Sequence, residues 1–362
     1  MKSHTILLSL LPISSSLAED DDTSFREHLL TGLQNINVEY EGLFSSNLDV
    51  QRGSFSYQQE REKWTFALSY FQTKYGLEYE PFAPLGGSDN RLDESNHQGS
   101  LSIGYTLQND IETSVSVTSY DGFSDYRSIW IAEYYRQTFN FPGSGYFAPD
   151  PEGFSITNGW GWDPQIGTSL SIDLSYSEDT IAPGWTFGSP ANDLLKNRIV
   201  SIRWEQAINP SLKTETSFSY SDITDREPRL NLQSSWNYAL TNEITLGAQL
   251  GGSREESDFD SLYGGLSLTY EVNDYLSLKL NGRLYTDSGE IETSGFNSAA
   301  PEINTAEIGI SALIEHGDHS FQLGISSFIN NYKDTDPDNE FFTNLYEDRD
   351  WITVRTAYTF EF

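Results

Sequence analysis

The chain has 362 residues, of which 54 are Asp or Glu and 21 are Lys or Arg, so its formal net charge is -33. This charge excludes nucleic acid as a principal partner, because phosphate binding needs a clustered cationic surface. The absence of cysteine excludes disulfides, thiolate metal sites and a cysteine nucleophile.

The N-terminus has the pattern of an export signal. Lys2 supplies a basic start, an apolar stretch follows, and Ser16 and Ala18 are the small residues expected before a cleavage site. Residues 1–18 are therefore predicted to be a signal peptide that is removed after Ala18. Residues 19–35 form a short segment, which is too short to fold as a plug domain ahead of the region 36–362.

From residue 36 onward, segments with one apolar and one polar side follow each other along the chain. In Leu262 to Val272 every second residue is apolar or glycine, while Ser267, Thr269 and Glu271 lie on the other side. This period of two is typical of β-strands that have one face in an apolar environment. Counting such segments predicts about sixteen strands of roughly ten residues, the length that a tilted strand needs to cross a bilayer.

The connections between these segments alternate in length. The short connections lie at 61–62, 108–110, 163–165, 209–211, 241–242, 273–274 and 316–318. The longer, acidic ones span 76–94, 121–152, 178–196, 222–228, 254–258, 287–303 and 333–349. A soluble sandwich has no reason to keep its short turns at one end, whereas a transmembrane antiparallel up-and-down β-barrel has tight periplasmic turns and long outer loops. The sequence therefore predicts an all-β transmembrane barrel over 36–362, with 19–35 on the periplasmic side.

The last predicted strand, Trp351 to Phe362, ends on Phe and carries Tyr358 and Phe360 on the same face. With the alternating connections, it makes the chain resemble bacterial outer-membrane β-barrels of the sixteen-stranded porin class. The resemblance implies a Gram-negative outer-membrane location, contact with outer-membrane lipid, a diffusion channel for small hydrophilic solutes or ions, and a possible homo-trimer.

Aromatic residues gather near both ends of the predicted strands, as expected at the two membrane interfaces. Near the short turns they are Trp64, Trp160, Trp162, Tyr238, Tyr270, Tyr275, Tyr358 and Phe360. Near the long loops they are Tyr70, Phe71, Tyr176, Phe218, Tyr220 and Tyr285. The pattern predicts two aromatic girdles.

The polar faces carry mostly serine, glycine, asparagine and glutamine, which are too small to fill a barrel of this size. We therefore expect a water-filled interior. Charged residues also fall near the middle of these faces, where they set ion preference or brace the wall in ion pairs. The candidate pore-lining residues are Arg203, Arg283, Arg355, Glu112, Asp173, Glu205, Glu215 and Glu307.

The longest outer connection, 121–152, joins the fifth and sixth predicted strands and is therefore the third outer loop, counted from the one between the first two strands. The loop at this position narrows the channel in general porins, so the resemblance makes it a candidate constriction loop, and 128–139 carries apolar residues at helical spacing. Its carboxylates are expected to face the arginines, and they are Asp121, Asp125, Glu133, Asp150 and Glu152. The alternative makes 128–139 a strand and 141–165 a long periplasmic connection, which also totals sixteen strands.

No catalytic constellation is evident in the sequence, so the chain is predicted not to be an enzyme. His97 with Ser95 is the one nucleophile and base pair considered. The acidic tract 334–340 resembles a calcium loop but lacks its glycine and its final glutamate, so no metal or other cofactor is predicted. The sequence thus predicts a passive porin that prefers cations. The alternative is a loop-closed barrel with a binding, adhesion or structural role.

Overall fold

The structure is a computed structural model of the chain. It describes residues 34–46, 48–78, 91–107, 111–123, 129, 132–133, 136, 141–143, 151–181, 193–224, 227–256, 259–289, 302–333 and 348–362. The predicted signal peptide, most of 19–35, Asp125, Asp150 and the acidic tract 334–340 lie outside these residues.

Sixteen strands account for nearly all of the described chain. They are β1 (Gln34–Phe44), β2 (Leu48–Arg61), β3 (Trp64–Glu78), β4 (Arg91–Thr106), β5 (Ile111–Asp121), β6 (Glu152–Gln165), β7 (Thr168–Ile181), β8 (Asp193–Asn209), β9 (Leu212–Ile223), β10 (Arg229–Ala239), β11 (Ile244–Arg254), β12 (Asp260–Asn273), β13 (Leu276–Asp287), β14 (Ile303–His316), β15 (His319–Tyr332) and β16 (Arg349–Glu361).

Each strand pairs antiparallel with its neighbours in sequence, and β1 pairs with β16. The pairing of β1 with β16 closes the sheet into a barrel without an edge, so the backbone groups of every strand find partners on both sides. The predicted sixteen-stranded up-and-down barrel is confirmed. Among the described residues, no helix has the length and apolar character to cross a membrane.

Alternate residues of each strand point to opposite sides of the barrel wall. The outward side is apolar and exposed, as illustrated by Leu266, Leu284 and Ile308, which are 73%, 66% and 62% exposed. The inward side carries the small polar residues. Because the period is two, the register of the ladder fixes which side each residue takes.

The connections differ at the two ends of the barrel. One end has tight turns, such as 62–63, 166–167 and 317–318; we call it the short-turn end. The turn before β7 uses Gly167 at φ +78°, a conformation that glycine adopts without strain. The other end carries the connections 79–90, 122–151, 182–192, 288–302 and 333–348, and we call it the long-loop end.

Two residues assigned to the outer aromatic girdle from sequence point the other way. Phe71 lies directly opposite Ser54 in the ladder, and Tyr285 lies opposite Tyr263, so both belong to the inward face. The girdle assignment of Phe71 and Tyr285 is therefore wrong. Phe71 follows another aromatic residue, Tyr70, and Tyr285 lies two residues before the end of β13, where a long connection begins. At both positions the alternation is difficult to recognise in the sequence.

The alternative placement of a strand at 128–139 is also wrong. β5 pairs directly with β6, from Ile111 opposite Trp162 to Asp121 opposite Glu152, which leaves no position for a strand between them. The described residues of that segment, Ile129, Ala132, Glu133 and Arg136, have helical conformation.

Candidate functional site

The barrel interior is the candidate site, because small polar side chains from every part of the wall converge there. Two hydrogen bonds between inward side chains of neighbouring strands illustrate this. Ser69 and Ser100 join neighbouring strands by an Oγ to Oγ hydrogen bond of 2.7 Å, and Asn231 donates to Ser219 over 3.0 Å. A barrel of sixteen strands is wide enough for an aqueous channel when its inner side chains are this short.

A three-residue ion cluster joins β16, β1 and β2 on the inner wall. The Arg355 Nε lies 2.5 Å from Glu41 Oε1, and the Arg52 Nη1 lies 3.1 Å from Glu41 Oε2. Glu41 therefore neutralises one of the two guanidinium charges. Glu39, two residues earlier on the same face, accepts a hydrogen bond from Asn37 and has no ion pair with a described residue.

A second set of ion pairs connects β8 with β9. Arg203 lies 3.4 Å from Glu215, and the Lys213 Nζ lies 2.6 Å from Glu205 Oε2. All four side chains are on the inward face, toward the short-turn end. These contacts brace neighbouring strands, so they leave little uncompensated charge on this part of the wall.

Other inward charges have no ion-pair partner among the described residues. Arg283 and Glu307 lie opposite each other in the ladder, yet no ion pair joins them, and the Arg283 guanidinium carbon instead lies 5.4 Å from the centre of the Tyr263 ring. Glu112 and Asp173 line a recess near the short-turn end and are likewise without an ion pair. Since β5 and β13 are eight strands apart in a ring of sixteen, Glu112 and Arg283 lie on opposite walls.

An apolar patch interrupts the polar inner wall near the long-loop end. It consists of Leu48, Val50, Tyr75, Leu77 and Trp351, each of which faces inward yet is no more than 4% exposed. We call these five residues the inner patch. Phe328 extends it by stacking on Trp351, with ring centres 5.6 Å apart. Apolar side chains on the wall of a wide barrel are buried only if other parts of the chain cover them.

Three of the four described helical residues of the 122–151 connection share this buried character. Ile129 and Ala132 are 2% and 8% exposed, and Glu133, at 6%, pairs with Arg136. Burial raises the pKa of the Glu94 carboxyl group, and the nearby charge of Glu133 raises it further. Glu94 is on the inward face of β4, beyond the outer aromatic residues, so Glu133 lies near the inner side of the wall.

The five carboxylates predicted for the constriction loop lie in different environments in the structure. Asp121 and Glu152 are the terminal ladder residues of β5 and β6, and the alternation turns both of them outward, so the expectation that they face the arginines is corrected. Glu133 is buried and paired, and the remaining two lie outside the described residues.

Ser95 and His97, the candidate nucleophile and general base in the sequence, lie on the outward face of β4. The Ser95 Oγ is 3.3 Å from His97 Nε2, and the Tyr70 hydroxyl is 2.8 Å from His97 Nδ1. A similar contact joins His319 Nδ1 to the Tyr358 hydroxyl at the opposite end of the barrel, also over 2.8 Å. The recurrence identifies these Tyr and His pairs as parts of the aromatic girdles.

No family model and no curated protein matches the chain. Among solved structures, the chain is similar to a bacterial polysaccharide outer membrane secretin, with 8% identity, a TM-score of 0.54 and coverage of 92% of this chain and 99% of that one. It is also similar to CdiB from Acinetobacter baumannii, with 10% identity, a TM-score of 0.53 and coverage of 91% of this chain. The match spans 60% of the length of CdiB. A third match is the Pseudomonas putida toluene transporter TodX, with 12% identity, a TM-score of 0.43 and coverage of 91% and 89%. At such identities the likeness concerns the fold, which is that of outer-membrane barrels.

Proposed function

We propose that this chain is an outer-membrane porin, a passive diffusion channel for small hydrophilic solutes that prefers cations. The observation that carries the proposal is the polar inner wall of a closed sixteen-stranded barrel. Water fills such an interior because the inward side chains cannot fill it and can hydrogen-bond with it. A solute that crosses this lumen remains hydrated.

The outward face supports placement in a lipid bilayer. Exposed leucine, isoleucine and valine side chains cover the middle of the strands, and tyrosine and tryptophan lie toward their ends. In water this surface would drive aggregation, whereas in a bilayer it matches the hydrocarbon core between two polar interfaces. By the rule for outer-membrane barrels, the short turns face the periplasm and the long loops face outward.

The preference for cations follows from charge. The chain has a formal net charge of -33, and the interior carboxylates Glu112, Asp173 and Glu307 have no ion pair with a described residue. A negative field in a narrow passage raises the local concentration of cations. Among the described inward residues of the strands, the cations that take part in no ion pair are Lys279 and Arg283, which both lie on β13 and act on one side of the passage.

The constriction is proposed to lie at the inner patch. The burial of Leu48 and Leu77 requires a cover, and the buried helical residues Ile129 and Ala132 belong to the connection that is long enough to supply it. Glu94 lies beyond β3 on the same stretch of wall, and its pKa is raised by the charge of Glu133. The connection would then narrow one side of the lumen and leave the polar wall from β7 to β14 open.

Swelling of liposomes that contain the purified barrel tests this function. Neutral sugars and amino acids of increasing size should enter at rates that fall steeply with size, as diffusion through a pore requires. Swelling rates equal to those of liposomes without protein, with the barrel shown to be folded and inserted, would contradict the proposal.

A further inference from the structure

One inward side chain does not fit a simple aqueous pore. Phe71, the eighth of the fifteen residues of β3, is 44% exposed. In the described strands, the other large apolar side chains with comparable exposure point outward, toward the proposed lipid. Phe71 alone presents a phenyl ring to the lumen near half its height.

The surroundings of Phe71 form a defined recess. Its volume is ≈ 390 Å³, which lies within the range of small-molecule sites. Polar groups from four strands line the same recess. They are Glu39 and Glu41 of β1, Arg52 and Ser54 of β2, Gln322 of β15 and Arg355 of β16.

The charges around this recess balance. Two guanidinium groups, those of Arg52 and Arg355, are offset by Glu41 between them and by Glu39 next to them. A recess without net charge gives no net electrostatic attraction to a ligand of either sign. It does offer many directional donors and acceptors, because guanidinium groups donate several hydrogen bonds and carboxylates accept several.

We propose that the Phe71 recess is a binding subsite for a neutral pyranose sugar. A pyranose combines an apolar face of C–H groups with a rim of hydroxyls. Its C–H face can stack on the negative face of the phenyl ring, and its hydroxyls can bond to Arg52 and Glu41. The inference rests on the proposed channel function and adds a solute class to it.

Binding of glucose to the detergent-solubilised barrel tests the proposal independently of conduction. Saturation-transfer NMR should show transfer from the protein to the glucose C–H protons. Sorbitol is the matched probe, because it has the same number of carbons and of oxygens as glucose but no rigid ring face. Its binding should be weaker by about tenfold, since it cannot stack without ordering its chain.

Three substitutions separate stacking from bulk. Phe71→Leu keeps an apolar side chain without a ring face and should weaken glucose binding by roughly three- to tenfold. Phe71→Tyr keeps the ring and should bind within about a factor of two of the original chain. Phe55 is an exposed, outward phenylalanine of the adjacent strand β2. Phe55→Leu therefore controls for general effects on the barrel and should leave glucose binding unchanged.

Equal glucose binding by Phe71→Leu and the unaltered chain would overturn the proposal, as would equal binding of sorbitol. Tighter binding of glucuronate than of glucose would overturn the assignment of a neutral ligand, and tighter binding of phenol would overturn the assignment of a sugar. A barrel that conducts ions but binds no glucose contradicts the subsite and leaves the channel function intact. A barrel that binds glucose but admits no solutes contradicts the channel function and leaves the subsite intact.

Discussion

Arg355 and Glu41 meet across the seam that closes the barrel, with 2.5 Å between the guanidinium Nε and the carboxylate Oε1 although 314 positions separate them in sequence. They are direct partners in the ladder between β16 and β1. Arg52 contacts the second oxygen of the same carboxylate. The seam therefore carries an interior ion cluster that exists only when the barrel is closed.

Glu41→Gln should alter conduction more than stability. The guanidinium groups of the cluster are more than half exposed, so the loss of these contacts should cost at most about 1 kcal/mol. Both guanidinium groups would then be free to extend into the lumen and lower single-channel conductance. Glu39→Gln is the matched control, because it removes one interior carboxylate without releasing an arginine. Equal conductance in the two variants would contradict a restraining role for Glu41.

Charges without ion pairs should control selectivity directly. Removal of one unit charge within roughly 10 Å of the ion path in water changes the local concentration of an ion by about twofold. Arg283→Gln should therefore raise the cation-to-anion permeability ratio, and Asp173→Asn should lower it. Reversal potentials in a salt gradient at low ionic strength measure both effects, which screening weakens at high salt.

Arg198→Gln provides the control for this comparison, because Arg198 lies on the outward face and pairs with Asp222 there. Its reversal potential should match that of the original chain. A shift in this variant as large as that of Arg283→Gln would show that the interior position of the charge is not decisive.

Deletion of residues 127–149 should open the channel. Ile129, Ala132 and Glu133 of this segment are buried, and the inner patch needs a cover, so removal of the segment should raise single-channel conductance severalfold. The ladder between β5 and β6 lies outside the deletion and should still form, as judged by a difference in gel migration between the unheated and the heated protein. Unchanged conductance in a folded deletion variant would show that the segment does not narrow the pore.

Glu94 should make the long-loop end sensitive to pH. Its pKa is raised mainly by burial and additionally by Glu133, so its ionised form is less favourable in the folded protein than in the unfolded one. The contribution of Glu94 to folding is therefore most favourable below the ordinary glutamate pKa of about 4.3, and this contribution is lost as pH rises through its raised pKa.

Glu94→Gln should accordingly stabilise the barrel at about pH 7, by well under 1 kcal/mol, and have no such effect at about pH 3.5. Equilibrium unfolding in detergent measures the difference. Asp93→Asn is the opposite control, because the hydrogen bond from Arg91 lowers the pKa of Asp93 and its replacement should not stabilise the protein. A stabilisation by Glu94→Gln that is equal at both pH values would contradict the assigned cause.

The fold was predictable because alternation and connection length are local properties of the sequence. One-sided segments such as 262–272 follow directly from the period of two, and the interior side of Arg203 or Asp173 follows from its position in such a segment. The Glu41 cluster was not predictable, because β1 and β16 meet only on closure. Phe71 was misassigned because Tyr70 precedes it, and two adjacent aromatics cannot reveal which one faces the lipid. Asp121 and Glu152 were misassigned because the ladder extends further than the loop pattern indicated.

Single-channel recording in a planar lipid bilayer tests the central claim most directly. Addition of the purified, folded barrel should produce stepwise conductance increases that scale with salt concentration, with reversal potentials of cationic sign in a potassium chloride gradient. Insertion of the folded barrel without conductance steps would contradict the proposal of an open channel. Steps with chloride preference at low ionic strength would contradict the proposed cation selectivity.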